Sequence, residues 1–365
     1  MKSYDYVVVG SGLTGAVIAR LLADHGREVI VLERRSHVGG NTHDHTHESG
    51  IRIHTYGPHY FRTSCPRIWD YCIRFGSFYP YVPRIQTYAN SEYVHWPLGI
   101  SFLRSKMAES FQPCYKGVVT NFEEAALSLM PRAIYEIFVK EYNEKQWGVP
   151  ASQLSADLCK RFDVRLDDDT RLTPKAKYQG IPNKGYHTWM MNMLSDIPIL
   201  INYEYETTNL ITAKRCLIYT GPIDAYFNYD LGRLKYRSQK RLSQYYPSVR
   251  GYYQSSGQIN NPQHSNGEHI RTLEWKHMME TDYASNIIGT VITTETPYTP
   301  TNANDYEYPF PDSYNALLYN RYRSRADALE KTIICGRLGE YRYYDMDQAI
   351  ARAMVIAAKI IGRDI

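Results

Sequence analysis

The residues best equipped for chemistry cluster near the end of the chain. In Arg337-Leu338-Gly339-Glu340-Tyr341-Arg342-Tyr343-Tyr344-Asp345-Met346-Asp347-Gln348-Ala349, two guanidiniums and three phenol hydroxyls crowd the start of an apolar segment. Guanidiniums grip phosphate through planar, paired hydrogen bonds. Tyrosine adds a flat apolar face with one polar tip. At a helix entrance, where backbone N–H groups stand unpaired, such a set suits an anionic ligand that also carries a flat ring.

The opposite end of the chain narrows the ligand. Residues 6–9 form an unbroken apolar run, as a buried parallel strand should, and Gly10-Ser11-Gly12-Leu13-Thr14-Gly15 follows at once. Residues 16–23 then have helical apolar spacing, and residues 28–32 read as a second buried strand that ends at Glu33. A G-x-G-x-x-G between strand and helix, with an acidic residue 18 positions beyond Gly15, is the pattern that binds a dinucleotide. Gly10 makes the tight turn, Gly12 lets backbone approach a pyrophosphate, Gly15 lets helix and strand pack closely, and Glu33 accepts from a ribose. Arg34-Arg35-Ser36-His37-Val38-Gly39-Gly40-Asn41 comes directly after. A Gly-Gly behind basic residues at this place resembles the second phosphate-contacting loop of glutathione-reductase-type FAD proteins, which points to FAD rather than NAD.

The elements that position these residues exceed one core, since 365 residues call for two or three packed units. A net charge of +4 fits phosphate-bearing ligands, and the absence of any Lys/Arg-rich tract argues against nucleic acid. Six scattered cysteines without a C-x-x-C pair read as reduced thiols of a cytoplasmic protein. No signal-peptide pattern opens the chain, and no apolar run reaches the ~18 residues of a membrane span. Residues 66–150 read as a helical domain, with apolar spacing in FEEAALSLM and AIYEIFVKEYNEKQW. The Tyr-rich alternation of INYEYETTNLITAKRCLIYTG suggests strands of a mixed or antiparallel sheet. The alternating His43-Asp44-His45-Thr46-His47-Glu48 lacks zinc-site spacing and reads as a solvated hairpin loop, so no metal is expected.

Several segments together resemble the UDP-galactopyranose mutase family: VVVGSGLTGA, VLERRSHVGGN, YGPHYF, EYNEKQWG, the VR of FDVRL, YQGIP, IYTGPID, LKYRS, HIRTLEWKH and GRLGEYRYYDMDQAI. They run in family order from residue 4 to about residue 360. The resemblance implies an α/β (mixed α+β) architecture. Its Rossmann-like FAD-binding domain would take residues 1–65, 190–240 and 315–365, with a helical insertion domain at 66–150. A twisted antiparallel sheet domain, the substrate domain, would take 151–189 and 241–314. It also implies an isomerase that turns UDP-galactopyranose into UDP-galactofuranose for cell-surface polysaccharide. In such an isomerase the N5 of reduced FAD attacks the anomeric carbon and displaces UDP, after NAD(P)H or another reductant has activated the flavin. A cytoplasmic homodimer with no membrane or nucleic-acid partner completes the expectation.

The resemblance carries roles to individual residues. Arg165 and Arg271 match two diphosphate-binding arginines, and a mobile loop around Arg165 is expected to close over the substrate. Tyr142, Trp147, Tyr178, Tyr308 and Tyr343 match aromatics around the sugar and diphosphate. Phe138 matches an aromatic that packs on uracil, Asn260 matches a polar position near the nucleotide, and Asn143 joins the expected substrate-binding residues. Besides Gly10, Gly12, Thr14, Gly15, Glu33 and Arg34, the flavin is expected to meet Gly40, Asn41, His59, Tyr60 and Thr220. Its remaining partners are Arg337, Tyr344, Asp345, Met346 and Ala349 in the closing segment.

Two positions depart from the family. Its G-x-H-x-F-H-T segment appears as Gly57-Pro58-His59-Tyr60-Phe61-Arg62-Thr63, which keeps the first histidine and puts Arg62 in place of the second. A permanent cation there would either stabilise anionic reduced flavin or reshape the sugar pocket. Arginine at this position resembles mutase variants that accept N-acetylated or otherwise altered sugars, which implies broadened specificity with UDP-N-acetylgalactosamine accepted as well. His59 and Arg62 therefore join Arg165 and Arg271 as candidate catalytic residues. The family's nucleotide-side asparagine is not apparent in residues 79–84, where Arg84 either compensates or is merely solvated. The competing reading, open to the N-terminal motif alone, is an amine-oxidase-like FAD oxidoreductase with net hydride transfer.

Overall fold

The computed structural model describes residues 2–106, 113–161, 165, 167–206 and 211–362. A five-stranded parallel sheet runs in the order Ile199–Leu200, Val29–Leu32, Lys2–Val9, Ile211–Tyr219, Thr332–Ile334. Its strands read as apolar runs because both faces are covered, and Val7, Val8, Ile30, Val31 and Ile218 are fully enclosed. The Leu13–Asp24 helix packs between this sheet and the closing Met346–Ile361 helix. A Cβ on Gly15 would overlap the Gly10 carbonyl oxygen, so the third glycine permits that close fit.

The strand Ile211–Tyr219 corrects one expectation: it lies in this all-parallel sheet, not in a mixed or antiparallel one. Its first half alternates between half-buried and exposed, and only Leu217, Ile218 and Tyr219 are buried. The alternation in the sequence came from that partly solvated half.

A second sheet has seven strands in the order Tyr308–Pro309, Tyr236–Tyr246, Thr290–Tyr298, Arg271–Glu274, Gln258–Asn260, Ile85–Ala89, Glu92–Trp96. All its pairings are antiparallel except Gln258–Asn260 with Ile85–Ala89. The stretch 66–150 is therefore not wholly helical. Ile85–Ala89 and Glu92–Trp96 form a hairpin whose turn residues Asn90 and Ser91 both have positive φ. The short buried alternation of Ile85, Thr87 and Ala89 was hidden among longer helical patterns. A boundary at residue 240 also fails, because Tyr236–Tyr246 is one strand, paired with Thr290–Tyr298 from Ser238 to Tyr246.

The helical layer includes Ile100–Lys106 and then Phe122–Leu129, where Asn121 caps the N-terminus by accepting from the Glu124 N–H. Arg132–Ile134 leads into a π-helical turn, Tyr135–Lys140, and then Glu141–Trp147, which ends at left-handed Gly148. A π turn inserts an extra residue and rotates the face that follows. This layer has its own core of Phe122, Tyr135, Phe138, Val139, Trp147 and Phe310. The His43–Glu48 region forms the hairpin Asp44–Thr46 with Arg52–His54. There the Asp44 carboxylate accepts from the backbone N–H groups of Tyr186 and His187 at 2.7 and 2.9 Å. Among the described residues no group of three or more His, Cys, Asp or Glu could hold a metal ion, and no helix is long and apolar enough to cross a membrane.

Candidate active site

A long groove runs along the carboxyl ends of the parallel strands. Its floor is made where two glycine loops meet backbone to backbone: a Cβ on Gly40 would fall 2.8 Å from the Gly12 Cα. Gly10, Gly12, Thr14, Gly15, Gly40, Asn41 and Thr220 line it, with Glu33 and Arg34 among its walls. His59, Arg337, Tyr344, Met346 and Ala349 line it as well. Glu33 is buried and braces the first turn: it accepts from the Ser11 amide at 2.8 Å, the Ser11 hydroxyl at 2.6 Å and the Arg35 amide at 2.9 Å. The Arg34 guanidinium donates to the Ala303 carbonyl and so ties the groove to the loop before Tyr308. Tyr203, Tyr205, Tyr219 and Tyr306 also line it and were not anticipated, since nothing in an isolated tyrosine signals which cavity it faces.

A second, wider cleft of about 1440 Å³ opens between the helical layer and the seven-stranded sheet. This exceeds the ~300–1,000 Å³ of an ordinary small-molecule pocket and leaves room for an extended ligand. Phe138, Tyr142, Asn143 and Trp147 line its helical wall, Asn260, Arg271 and Tyr308 its sheet wall, and Tyr343 of the closing segment stands beside Tyr308. Phe138 rests against Trp96 and Phe102, and Trp147 meets Phe310 edge to face, so aromatic packing fixes the rings of a helical wall that also carries Asn143 and Gln146. The Asn143 side chain donates back to the Val139 carbonyl at 2.7 Å. Tyr60 belongs here rather than in the groove: its hydroxyl donates to Gln258 at 3.1 Å, and Gln258 donates on to Asn260 at 2.8 Å.

The two cavities share Asn41, His59, Arg337 and Met346. His59 Nδ1 lies 2.7 Å from the Gly57 carbonyl, which can only accept, so Nδ1 carries the proton and Nε2 the lone pair. Burial pushes the His59 imidazole down to about 4, so it stays neutral near pH 7. Arg337 donates to the carbonyls of Glu307 and Tyr344 at 3.3 and 2.7 Å and lies 4.7 Å from the Tyr343 ring centre. Tyr343 in turn stacks on Tyr308, 9° from parallel at 6.0 Å.

Behind the sheet wall lies a buried charge ladder. Arg271 Nε pairs with one oxygen of Glu295, whose other oxygen takes Arg241 Nε at 2.8 Å. Arg241 then forks onto both oxygens of Glu307 at 2.7 and 2.9 Å. The Glu295 and Glu307 side chains are buried, and the pairing holds the Arg271 guanidinium charged despite its burial. Gly57, at φ +90°, packs on this ladder, and a Cβ there would sit 2.8 Å from Glu295 Oε1.

Besides Tyr60, three more expected site residues lie elsewhere. Arg165 does not line the cleft: its guanidinium donates to the carbonyls of Asp169, Arg171 and Leu172 at 2.7, 2.6 and 3.0 Å. The rest of the 162–166 segment lies outside the described residues. Tyr178 stacks on Trp69 at 5.2 Å, with the rings 10° from parallel, and does not line the cleft either. Asp345 lines the wide cleft rather than the groove, because its carboxylate is drawn to Arg62 Nη2 at 3.0 Å. Arg84, outside the cleft, donates to Thr170 at 2.6 Å.

A groove built on a glycine-rich first turn, meeting an arginine- and tyrosine-lined cleft, matches what comparison with known proteins finds. A family described as UDP-galactopyranose mutase matches residues 137–343, and an NAD(P)-binding Rossmann-like domain matches residues 8–75. A probable UDP-galactopyranose mutase of Klebsiella pneumoniae is 30% identical over 99% of this chain and 96% of its own length. The chain belongs to the UDP-galactopyranose mutase family. A dTDP-fucopyranose mutase of Escherichia coli is 28% identical over 96% of this chain and 97% of its own. A crystal structure of a reduced UDP-galactopyranose mutase shares the fold with a TM-score of 0.80, at 14% identity over 98% of this chain and 96% of that one.

The mutase is an isomerase, and its cofactor is FAD. Its own residues fit that cofactor. The Gly12–Gly40 approach leaves a side-chain-free floor that would take a pyrophosphate at the N-terminus of the Leu13–Asp24 helix, Glu33 lines the groove wall at the end of the second strand, and the groove ends beside the wide cleft at His59 and Met346.

Proposed function

We propose that this mutase interconverts the pyranose and furanose forms of UDP-galactose, and that Arg62 extends its range to UDP-N-acetylgalactosamine. The observation that carries the reading is the junction of groove and cleft at His59 and Arg337, beside the Arg271 ladder. Bound and reduced, FAD supplies a nitrogen nucleophile for the anomeric carbon. The chain's residues do the rest. Arg271, fixed by Glu295, faces the diphosphate as negative charge builds on the leaving group, where a preoriented guanidinium helps most. The Tyr308–Tyr343 stack, backed by Arg337, holds the diphosphate and sugar between aromatic faces. Phe138 and its neighbours receive the base. Neutral His59 adds no positive charge where the anomeric carbon becomes electron-poor. Arg165 joins the diphosphate by exchanging its three carbonyl partners for phosphate oxygens as its loop closes.

The 28% identical fucopyranose mutase gives a second substrate a specific footing, a dTDP-linked 6-deoxy sugar. The enzyme in this reading works in the cytoplasm as a homodimer. Dithionite-reduced enzyme offered UDP-galactose, UDP-N-acetylgalactosamine and dTDP-fucose separately, with products resolved by chromatography, tests it. Furanose from both UDP-sugars supports the reading, and furanose from UDP-galactose alone removes the Arg62 extension. Furanose only from dTDP-fucose replaces the substrate. Net flavin oxidation without furanose would favour the oxidoreductase instead.

A further inference from the structure

Lys145 is buried in the Glu141–Trp147 helix, yet it lines neither cavity. Its ammonium donates to three backbone carbonyls: Gln263 at 3.1 Å, Gly267 at 3.1 Å and His269 at 3.0 Å. An ammonium has three N–H donors, and all three are used. The carbonyls belong to the loop that joins the strands Gln258–Asn260 and Arg271–Glu274. Those strands place Asn260 directly opposite Arg271 in register. Asn261 reinforces the same turn through its side-chain amide, which donates to the carbonyls of Asn266 and His269 at 3.2 and 3.0 Å. One helical turn before Lys145, Glu141 accepts from the His264 N–H at 2.7 Å.

The same helix is held from its other end. Arg237 donates to the carbonyls of Gln146 at 2.7 Å and Lys145 at 3.0 Å, and so caps the last turn just before left-handed Gly148. Between these anchors stand Tyr142, Asn143, Gln146 and Trp147, all in the wide cleft. Burying an ammonium is costly, and an apolar side chain of the same length would pack equally well. What an apolar side chain cannot do is satisfy three inward-facing carbonyls, and those carbonyls set the spacing between the two walls of the cleft.

We infer that Lys145 is a positioning residue for nucleotide-sugar binding, tying the aromatic helical wall to the loop that holds Asn260 and Arg271. The inference rests on the assignment of the wide cleft to a UDP-sugar. Lys145 touches no ligand and acts through Tyr142 on one side and Arg271 on the other. Removing it loosens the distance between base-side and phosphate-side contacts. Affinity falls, while the groove, which Lys145 does not approach, keeps its cofactor.

The test uses the FAD-loaded enzyme, UDP as probe and the K145M variant, with UDP-galactose kinetics on reduced protein. The expected result is a dissociation constant for UDP and a KM that both rise about tenfold, with kcat within about twofold and flavin content unchanged. Should K145M fail to fold, N261S, which shortens the second donor to the same turn, is expected to raise KM in the same way. Wild-type binding of UDP with K145M and N261S unchanged overturns the inference alone. So does a fall in kcat at constant KM, which would place Lys145 in the chemical step. Wild-type enzyme that fails to bind UDP overturns the assignment of the cleft and the inference with it.

Discussion

Arg62 and Asp345 form an ion pair across the wide cleft, Nη2 to Oδ2 at 3.0 Å, and so connect the Phe61–Thr63 strand to the N-terminus of the closing helix. Asp345 is already placed by that helix, since its backbone N–H donates to the Gln348 side chain at 3.0 Å. The pair is about one-third exposed on each side, so it adds little to stability, and its weight falls on the shape and charge of the pocket.

Arg62→His should therefore leave folding and flavin content unchanged and alter substrate choice. The expected outcome is a fall of about tenfold or more in kcat/KM for UDP-N-acetylgalactosamine relative to UDP-galactose. Chromatography of both substrates with the reduced variant measures it. An unchanged ratio would remove Arg62 from specificity.

Arg271 differs from Arg62 because its carboxylate partner is fully buried. Arg271→Ala leaves Glu295 with Arg241 alone and removes the cation proposed to face the diphosphate. Turnover should fall about 100-fold or more. Flavin absorbance should be retained, because Arg271 does not line the groove. Arg271→Lys should recover little, since an ammonium cannot pair with Glu295 and present a planar fork to phosphate together. Loss of flavin in either variant would move Arg271 to the cofactor site.

Arg165 is bound to three carbonyls of its own loop, which gives two separable outcomes. If it exchanges those carbonyls for phosphate on closure, Arg165→Ala loses about 100-fold or more in turnover with flavin intact. If it only braces the 169–172 turn, KM changes modestly and kcat survives. Steady-state kinetics on the reduced variant, read beside UDP binding, separates them. The first outcome is expected.

Legibility in the sequence followed the range of the interactions. The strand–Gly-x-Gly-x-x-Gly–helix unit could be read because its strand, glycine turn, helix and second strand follow one another within residues 2–33 and carry their pattern locally. The closing segment could be read as a ligand-facing helix entrance because its tyrosines and arginines are adjacent. The ladder Arg271–Glu295–Arg241–Glu307 could not, since its partners are 24 to 66 positions apart and nothing local marks a buried glutamate. Lys145 stood in a recognised motif, yet its role depends on a loop 118 to 124 positions away. Tyr178 was misplaced because one face of the Tyr178–Pro182 strand packs on Trp69, and only the pairing of that strand with Phe61–Thr63 and Phe78–Pro80 decides its facing.

His59 supplies a pH dependence whose direction follows from its burial. Its imidazole is pushed down to about 4 chiefly by desolvation, with Arg337 and Arg241 adding repulsion, while the ordinary unfolded value is near 6.5. Between those values the unfolded chain binds a proton that the folded chain excludes. Stability from this group is therefore complete above about pH 6.5 and declines as pH falls toward 4. Buried His54, which accepts from the His59 amide at 3.1 Å and is also held well below its usual range, adds to the same slope. Because His59 stands at the junction of groove and cleft, flavin retention should weaken over the same interval. Flavin fluorescence released during an acid titration measures it. His59→Asn removes one titrating group and should make the release less steep between pH 6.5 and 4, while an identical acid profile would show that His59 is not responsible.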